Sequence, residues 1–231
     1  MTVSLSTVFA VPLHCDDCVT DVNGALNKVD GIENVSIDLK KQLVSVQGSA
    51  PPSVIVKAIQ ETGRDAIVRG SGEPNSSAVC ILETHEPAFN SAPVRGLARL
   101  VKASPTATLV DLTLSGMKPK TTYYASIRTA GDISRGPLST GSSYKSIGSV
   151  TVDENGSGQS FIVKNELPIW EVIGRSMVVG ADKNCKQMFL SDVVGVIARS
   201  AGVWENEKTV CSCSGKTVWE ERKEAVAKGM A

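Results

Sequence analysis

TVFAVPLHCDDCVTDVNGALNKV, residues 7–29, decides the architecture of the amino-terminal part. Thr7 to Leu13 is a short apolar run, the pattern of a buried strand. His14 to Asp17 is polar and loop-like, and it holds Cys15. From there Cys18, Val19, Val22, Ala25, Leu26 and Val29 recur at three- and four-residue intervals, the spacing of one amphipathic helix. Asp16 or Asp17 is placed to cap its exposed amides, and Asp30-Gly31 to stop it.

Asn34 to Leu39 alternates apolar Val35, Ile37 and Leu39 with polar neighbours, and after Lys40-Lys41 the alternation resumes at Val44 and Val46, which predicts two paired strands. Pro51-Pro52 suits a helix start, Val54, Ile55, Ala58 and Ile59 share one face, and Gly63 precedes a last strand over Asp65 to Arg69. The order βαββαβ predicts an α+β, ferredoxin-like domain over residues 1–70. Its cysteine loop and the loop near Gly63 share one edge of the sheet.

Gly70 to Ser77 has the composition of a linker, assigned to residues 71–77, and helical periodicity then disappears until the carboxyl end. Val79–Glu83, Arg95–Lys102, Leu109–Leu114, Tyr123–Arg128, Gly158–Val163, Ser176–Val179 and Val193–Ala198 read as short strands between Gly- and Pro-bearing turns. Seven or eight such strands over 78–204 predict an all-β sandwich or barrel. Residues 205–231 are a charge-dense tail, in which Thr217 with Glu220 makes a capping box for a short helix carrying Val218, Trp219 and Arg222. Such a helix is too short to be stable alone in water.

The 231 residues carry 24 Lys and Arg against 24 Asp and Glu, and 42% of them are apolar, which excludes intrinsic disorder. Zero net charge gives no overall field to hold a nucleic-acid backbone, and no apolar run reaches the ~18 residues of a membrane span. No basic residue precedes the apolar stretch Val8 to Leu13, which argues against a secretory leader. The six cysteines are too sparse for a disulfide-stapled domain, so the chain is assigned to a reducing compartment, the cytoplasm, with the mitochondrial intermembrane space as a second location beside it.

The cysteines carry the chemistry. Cys15 falls in a loop and Cys18 in the first helical turn, where the helix dipole favours thiolate. Two soft sulfurs at an exposed edge, with no third ligand nearby, suit Cu(I) better than tetrahedral Zn(II). Two thiolates and Cu(I) leave one net negative charge, which Arg64 in the neighbouring loop can offset, while His14 stands beside the site or faces solvent. A dithiol redox centre, half of a zinc site and a chance spacing stay open as other readings. Cys211-Ser212-Cys213, in an extended segment, points both sulfurs to one side. The pair can capture a metal, perform thiol–disulfide exchange, or be incidental. Cys80 is read as a core residue and Cys185 as an idle loop thiol.

The head motif Pro12-Leu13-His14-Cys15-Asp16-Asp17-Cys18, Arg69-Gly70 through Asn75 to Val79, Val94 to Arg99, Gly195 to Asn206 and Gly215 to Lys223 together resemble the fungal-type copper chaperones for Cu,Zn superoxide dismutase over nearly the whole chain. Leu13 departs from the methionine usual there, a swap of similar volume that should be tolerated. The resemblance implies a first domain that acquires Cu(I), a Greek-key, dismutase-like middle domain that docks on the dismutase as a heterodimer, and a tail that delivers copper and helps form the target's disulfide. A homodimer of the free chain is left open. At the positions matching a dismutase's copper-binding histidines stand Ser126, Arg128 and Gly180, and at its disulfide cysteines Pro137 and Val194, so a chain with His85 as its only histidine beyond His14 cannot itself be a dismutase. The resemblance places the pairing face at Ala130 to Asp132, Ile173 to Ser176 and Gly195 to Ala201, with Asp132, Arg175, Arg199 and Trp204 as partner contacts. Two rival readings remain open: an interaction protein stapled by one zinc on all four paired cysteines, and a metal-independent thiol–disulfide oxidoreductase.

Overall fold

The computed structural model describes residues 4–89, 93–206, 208–210 and 214–227. Contacts divide the chain into two compact units, Met1–Ser77 with Val101–Pro105 and Ser200–Glu207, and Ala78–Leu100 with Thr106–Arg199 and Lys208–Ala231. This grouping differs from a single cut at residues 71–77, because two later stretches join the first unit.

The first unit runs β1 (Leu5–Ala10), α1 (Asp16–Leu26), β2 (Ile32–Asp38), β3 (Leu43–Gly48), α2 (Pro52–Gln60) and β4 (Ile67–Ser71). The sheet order is β2-β3-β1-β4 with antiparallel neighbours throughout, the expected βαββαβ arrangement. In α1 the residues four apart, Cys18, Val22 and Leu26, are the buried ones, so the helix period itself turns the second cysteine toward the core. They pack with Phe9, Leu13, Val44, Ile55 and Ile59. Two details depart from expectation. The residue at the helix cap is Cys15, whose side chain makes no capping bond, while Asp16 and Asp17 lie inside the first turn, where they favour the dipole without capping. The helix also ends at Leu26, the Asn27 amide closing on the Asn23 carbonyl at 3.0 Å, before Gly31.

The stretch read as a linker is built into the structure. Gly70 and Ser71 belong to β4 and Ser77 opens β5 (Ser77–Thr84). Between them the Ser76 amide and hydroxyl both donate to the Glu73 carbonyl, at 3.0 and 2.6 Å. Glycine is required at 70 for a different reason from flexibility: a Cβ there would meet the Gly202 backbone, 2.6 Å from its carbonyl carbon. The Ser71 amide donates to Ala201 and the Val203 amide to Gly72, so residues 201–203 run along this edge.

In the second unit β5 is followed by β6 (Val94–Lys102), β7 (Thr108–Leu114), β8 (Thr122–Arg128), β9 (Ser134–Pro137), β10 (Ser143–Thr151), β11 (Gly158–Lys164), the single turn α3 (Ile169–Val172), β12 (Ser176–Gly180), β13 (Val193–Val196) and β14 (Ala198–Ser200). One sheet runs β10-β8-β12-β13-β5-β6-β7-β11, with β14 on β5. Its end strands lie against each other, since a Cβ on Gly148 of β10 would meet Ile162 of β11 at 2.7 Å. The result is a barrel-like sheet around Leu82, Leu100, Leu112, Ile127, Leu167 and Met177. Six of the seven predicted strands are present as single strands, and the seventh, Val193–Ala198, breaks at Ile197 into β13 and β14. β9 and β10 were missed, and in β10 two register shifts against β8 break the alternation that would have exposed it.

In the tail the expected helix is α4 (Val218–Ala227), none of whose residues is buried. Its capping box is complete: the Glu220 amide donates to Thr217 Oγ1 at 3.2 Å, and the Thr217 amide donates to Glu220 Oε2 at 2.7 Å.

Candidate metal centre

The extended backbone of Cys15 (φ −156°, ψ 172°) delivers the chain into α1, and one turn later Cys18 brings its Sγ to 3.3 Å from Cys15 Sγ. Cys15 is exposed and Cys18 is buried, so the pair is a rim with one sulfur in water and one against the core. Below it Leu13 is 2% exposed, which places an apolar floor where methionine was the usual residue. The loop is pinned from β3's side, since the Val11 amide donates to the Gln42 carbonyl at 3.0 Å and Gln42 Nε2 donates to the Leu13 carbonyl at 3.0 Å.

Arg64 lies beside the thiol pair. Its Nη2 pairs with Asp21 Oδ2 at 3.0 Å and its Nη1 donates to the Thr62 carbonyl at 3.0 Å, which aims the guanidinium at the Cys18 sulfur. The Cys18 thiol is pulled down to about 6, first by backbone hydrogen bonding at His14, then by the Arg64 guanidinium and the Cys15 thiol, against the opposing effect of burial. The reciprocal effect holds Arg64 above the ordinary guanidinium range. His14 itself is exposed. Among the described residues no group of three or more His, Cys, Asp and Glu converges. What converges here is a two-sulfur site with a cation behind it, able to hold a soft ion of low charge at the surface.

In the metal-free, reduced chain the Cys18 thiolate should therefore form as pH rises through about 6, well below the ordinary thiol value of about 8.5. Ultraviolet thiolate absorbance would follow the step, and Arg64→Ala should move it to higher pH. An unmoved midpoint would remove Arg64 from the site.

Cys211 and Cys213 lie outside the described residues. The segments around Ala130, Gly174–Ser176 and Ile197 lie side by side: the Ser176 amide donates to the Ala130 carbonyl at 3.1 Å, the Gly174 amide to Ile197 at 2.8 Å, and the Ile197 amide to Arg175 at 2.8 Å. Gly131 lies so close to the Gly174 carbonyl that no side chain fits between them. Asp132 is exposed and its carboxylate accepts the Ser134 amide at 2.8 Å, which holds it below the usual carboxylate range. Arg175 is tied within the chain, Nε to the Glu171 carbonyl and Nη1 to the Thr129 carbonyl, both at 2.8 Å, with its guanidinium 4.1 Å from the Tyr144 ring centre. Arg199 is exposed on β14. Trp204 groups with the first unit, in the left-handed region at φ 67°, and lines a cavity of about 310 Å³ with Ser6, Asn34, Ser45 and Gln47.

Ser126 and Arg128, which the resemblance matched to copper-binding histidines, are buried, and Arg128 donates to the Cys185 carbonyl at 2.8 Å and the Gly141 carbonyl at 2.6 Å. A Cβ on Gly180 would meet the Asp192 carboxylate at 2.6 Å. Cys80 is buried as expected, and Cys185 lies in the loop between β12 and β13, buried at 4% exposure, where burial pushes its thiol up.

Residues 7–65 match the model of the heavy-metal-associated domain. A superoxide dismutase 1 copper chaperone of Debaryomyces hansenii is 48% identical across all of this chain and 99% of its own length. The chain belongs to the copper chaperones for superoxide dismutase. The Saccharomyces cerevisiae member is 43% identical over 95% of this chain and 94% of its own, and a copper chaperone for superoxide dismutase from Sus scrofa is 32% identical over 95% and 89%. The relatives are named chaperones and not dismutases, in keeping with the absence of a histidine set in this chaperone's second unit.

Two site residues were not foreseen. Asp21, which fixes Arg64, and Gln42, which ties down the cysteine loop, act across 43 and 29 residues of sequence. Each is an ordinary surface residue in its local pattern, and only the βαββαβ register brings it to the site.

Proposed function

We propose that the chain acquires copper as Cu(I) on Cys15 and Cys18 and delivers it to a Cu,Zn superoxide dismutase docked on the second unit. The observation that carries the reading is the 3.3 Å thiol pair with Cys18 ionising near pH 6 and Arg64 behind it. A thiolate already formed at neutral pH takes the ion without first losing a proton. With only two sulfurs the site stays open, so an incoming thiolate can add before either leaves. Cys211 and Cys213 are the next donors, of the same chemical type, so transfer needs little thermodynamic drop.

Docking uses the surface knitted from Ala130–Asp132, Gly174–Ser176 and Ile197, with Asp132, Arg175 and Arg199 as candidate contacts, and pairs chaperone with dismutase as a heterodimer; Trp204, which groups with the first unit, is not counted in that surface. The same tail pair, when oxidised, can pass its disulfide on: a target thiolate attacks one tail sulfur, and the target's second thiolate displaces it, leaving the target oxidised and the tail as a dithiol. The unpaired thiols Cys15, Cys18, Cys80 and Cys185 suit a reducing compartment such as the cytoplasm.

The chain with Cys211→Ser and Cys213→Ser is expected to activate copper-free, zinc-loaded dismutase far more slowly than the unaltered chain, while still binding copper at the head. Activation at the unaltered rate would remove the tail from the mechanism.

A further inference from the structure

Trp170 is 70% exposed, the most exposed large apolar side chain among the described residues. It stands in α3, a single turn whose flanking Ile169 and Val172 are buried at 5% and 0% exposure. The indole is thus held outward by anchors on both sides. The turn is braced further: the Glu171 amide donates to the Pro168 carbonyl at 3.1 Å, Arg175 Nε donates to the Glu171 carbonyl at 2.8 Å, and the Tyr144 hydroxyl donates to Glu171 Oε2 at 2.8 Å. Arg175 then lies 4.1 Å over the Tyr144 ring, closing a frame around the backbone that carries Trp170.

A large aromatic side chain left in water on a rigid mount has the physical character of a binding anchor. Tryptophan supplies a large apolar area with few rotatable bonds, and a mount ordered beforehand leaves little entropy to lose on docking. The chain leads directly from this turn through Ile173 into Gly174–Ser176, the centre of the surface knitted to Ala130 and Ile197. Trp170 is therefore continuous with the docking face assigned above, at its border.

We infer that Trp170 is an anchor residue for the dismutase subunit, seated in an apolar recess of that partner and held ready by the Tyr144–Glu171–Arg175 frame. This rests on the docking reading, and its occupant is a dismutase subunit in preference to a second copy of this chain. The face it borders is the one the docking reading assigns to the dismutase, the partner carried in the names of the relatives.

The test is a calorimetric titration of the full-length chain, unaltered and as Trp170→Ala, with copper-free, zinc-loaded, disulfide-reduced dismutase. Sedimentation of each chain alone would accompany it. Because Trp170 is exposed, the variant should keep the circular dichroism of the parent. The expected result is a loss of affinity of about 30-fold, with Trp170→Phe falling between, and slowed amide exchange at residues 168–173 when dismutase is added to the unaltered chain. Equal affinity of Trp170→Ala and parent would overturn the inference while leaving docking intact. A change confined to self-association would overturn the choice of occupant. Failure of the parent itself to bind would instead overturn the docking reading on which the inference rests.

Discussion

A chain carrying Cys15→Ser and Cys18→Ser should lose its head-site affinity for copper by more than roughly 100-fold. The bound is set by a comparison: residues that merely support a ligand typically cost about 10–100-fold in metal affinity when removed, and here both sulfur donors are exchanged for hydroxyls, which do not favour a soft ion. The fold should survive, because Cys15 is exposed and Ser occupies nearly the volume of Cys at position 18. The loss should be measured as competition against a Cu(I) chelator, with the tail cysteines also replaced so that they do not retain the ion. Arg64→Ala should give an intermediate effect, since the two thiolates and the ion then keep a net charge that the guanidinium no longer offsets. Undiminished copper in the double variant would mean that the 3.3 Å thiol pair is not the acquisition site.

The largest expected effect on stability lies elsewhere, at Gly195. A Cβ there would collide with the Ile81 carbonyl oxygen and stand 2.8 Å from Cys80 Sγ and 2.9 Å from the Ile81 carbonyl carbon. Cys80 and Ile81 belong to β5, to which β13 is paired through Val193 with Thr84 and Val194 with Glu83. The obstacle is backbone and core, so relief requires the two strands to part. Gly195→Ala is expected to cost about 3 kcal/mol, the upper end for overpacking, and to lower the melting temperature of the second unit by on the order of 10 °C. Gly24→Ala is the counterpart: it lies within α1 with nothing within 4 Å of the added methyl, and should stabilise by roughly 0.5–1 kcal/mol. Differential scanning calorimetry of both variants checks the pair, and a Gly195→Ala chain melting with the parent would show that the strands absorb the methyl group.

The first domain was legible because its periods are clean. Cys18, Val22 and Leu26 mark one buried helix face, and the alternation at Val44 and Val46 marks a strand whose apolar side meets it. The capping box at Thr217 and Glu220 was equally readable, being a local exchange of hydrogen bonds three residues apart. Local pattern failed where the fold uses residues against their usual habit. Gly70 and Ser71 look like linker, yet Gly70 is a strand glycine that admits the Gly202 backbone. Arg175 reads as a contact for a partner, yet its Nε and Nη1 are engaged with two carbonyls of its own unit. Those partners lie 4 and 46 residues away, and only the closed sheet brings the farther one near.

The contact of residues 201–206 with β4 bears on how the protein is made. Arg69 Nε and Nη2 donate to the Asn206 carbonyl at 3.1 and 2.8 Å. On a translating ribosome adding about 5–20 residues per second, Arg69 is synthesised roughly 7 to 27 seconds before Asn206, 137 residues later. The head of the nascent chain can assemble its four strands and its thiol pair in that interval, but the seam along Gly70 closes only after nearly everything else has been synthesised. Chains stalled late in translation should therefore display a thiol-bearing head with an unsealed β4 margin, a distinct species that pulse-labelling of arrested nascent chains could capture.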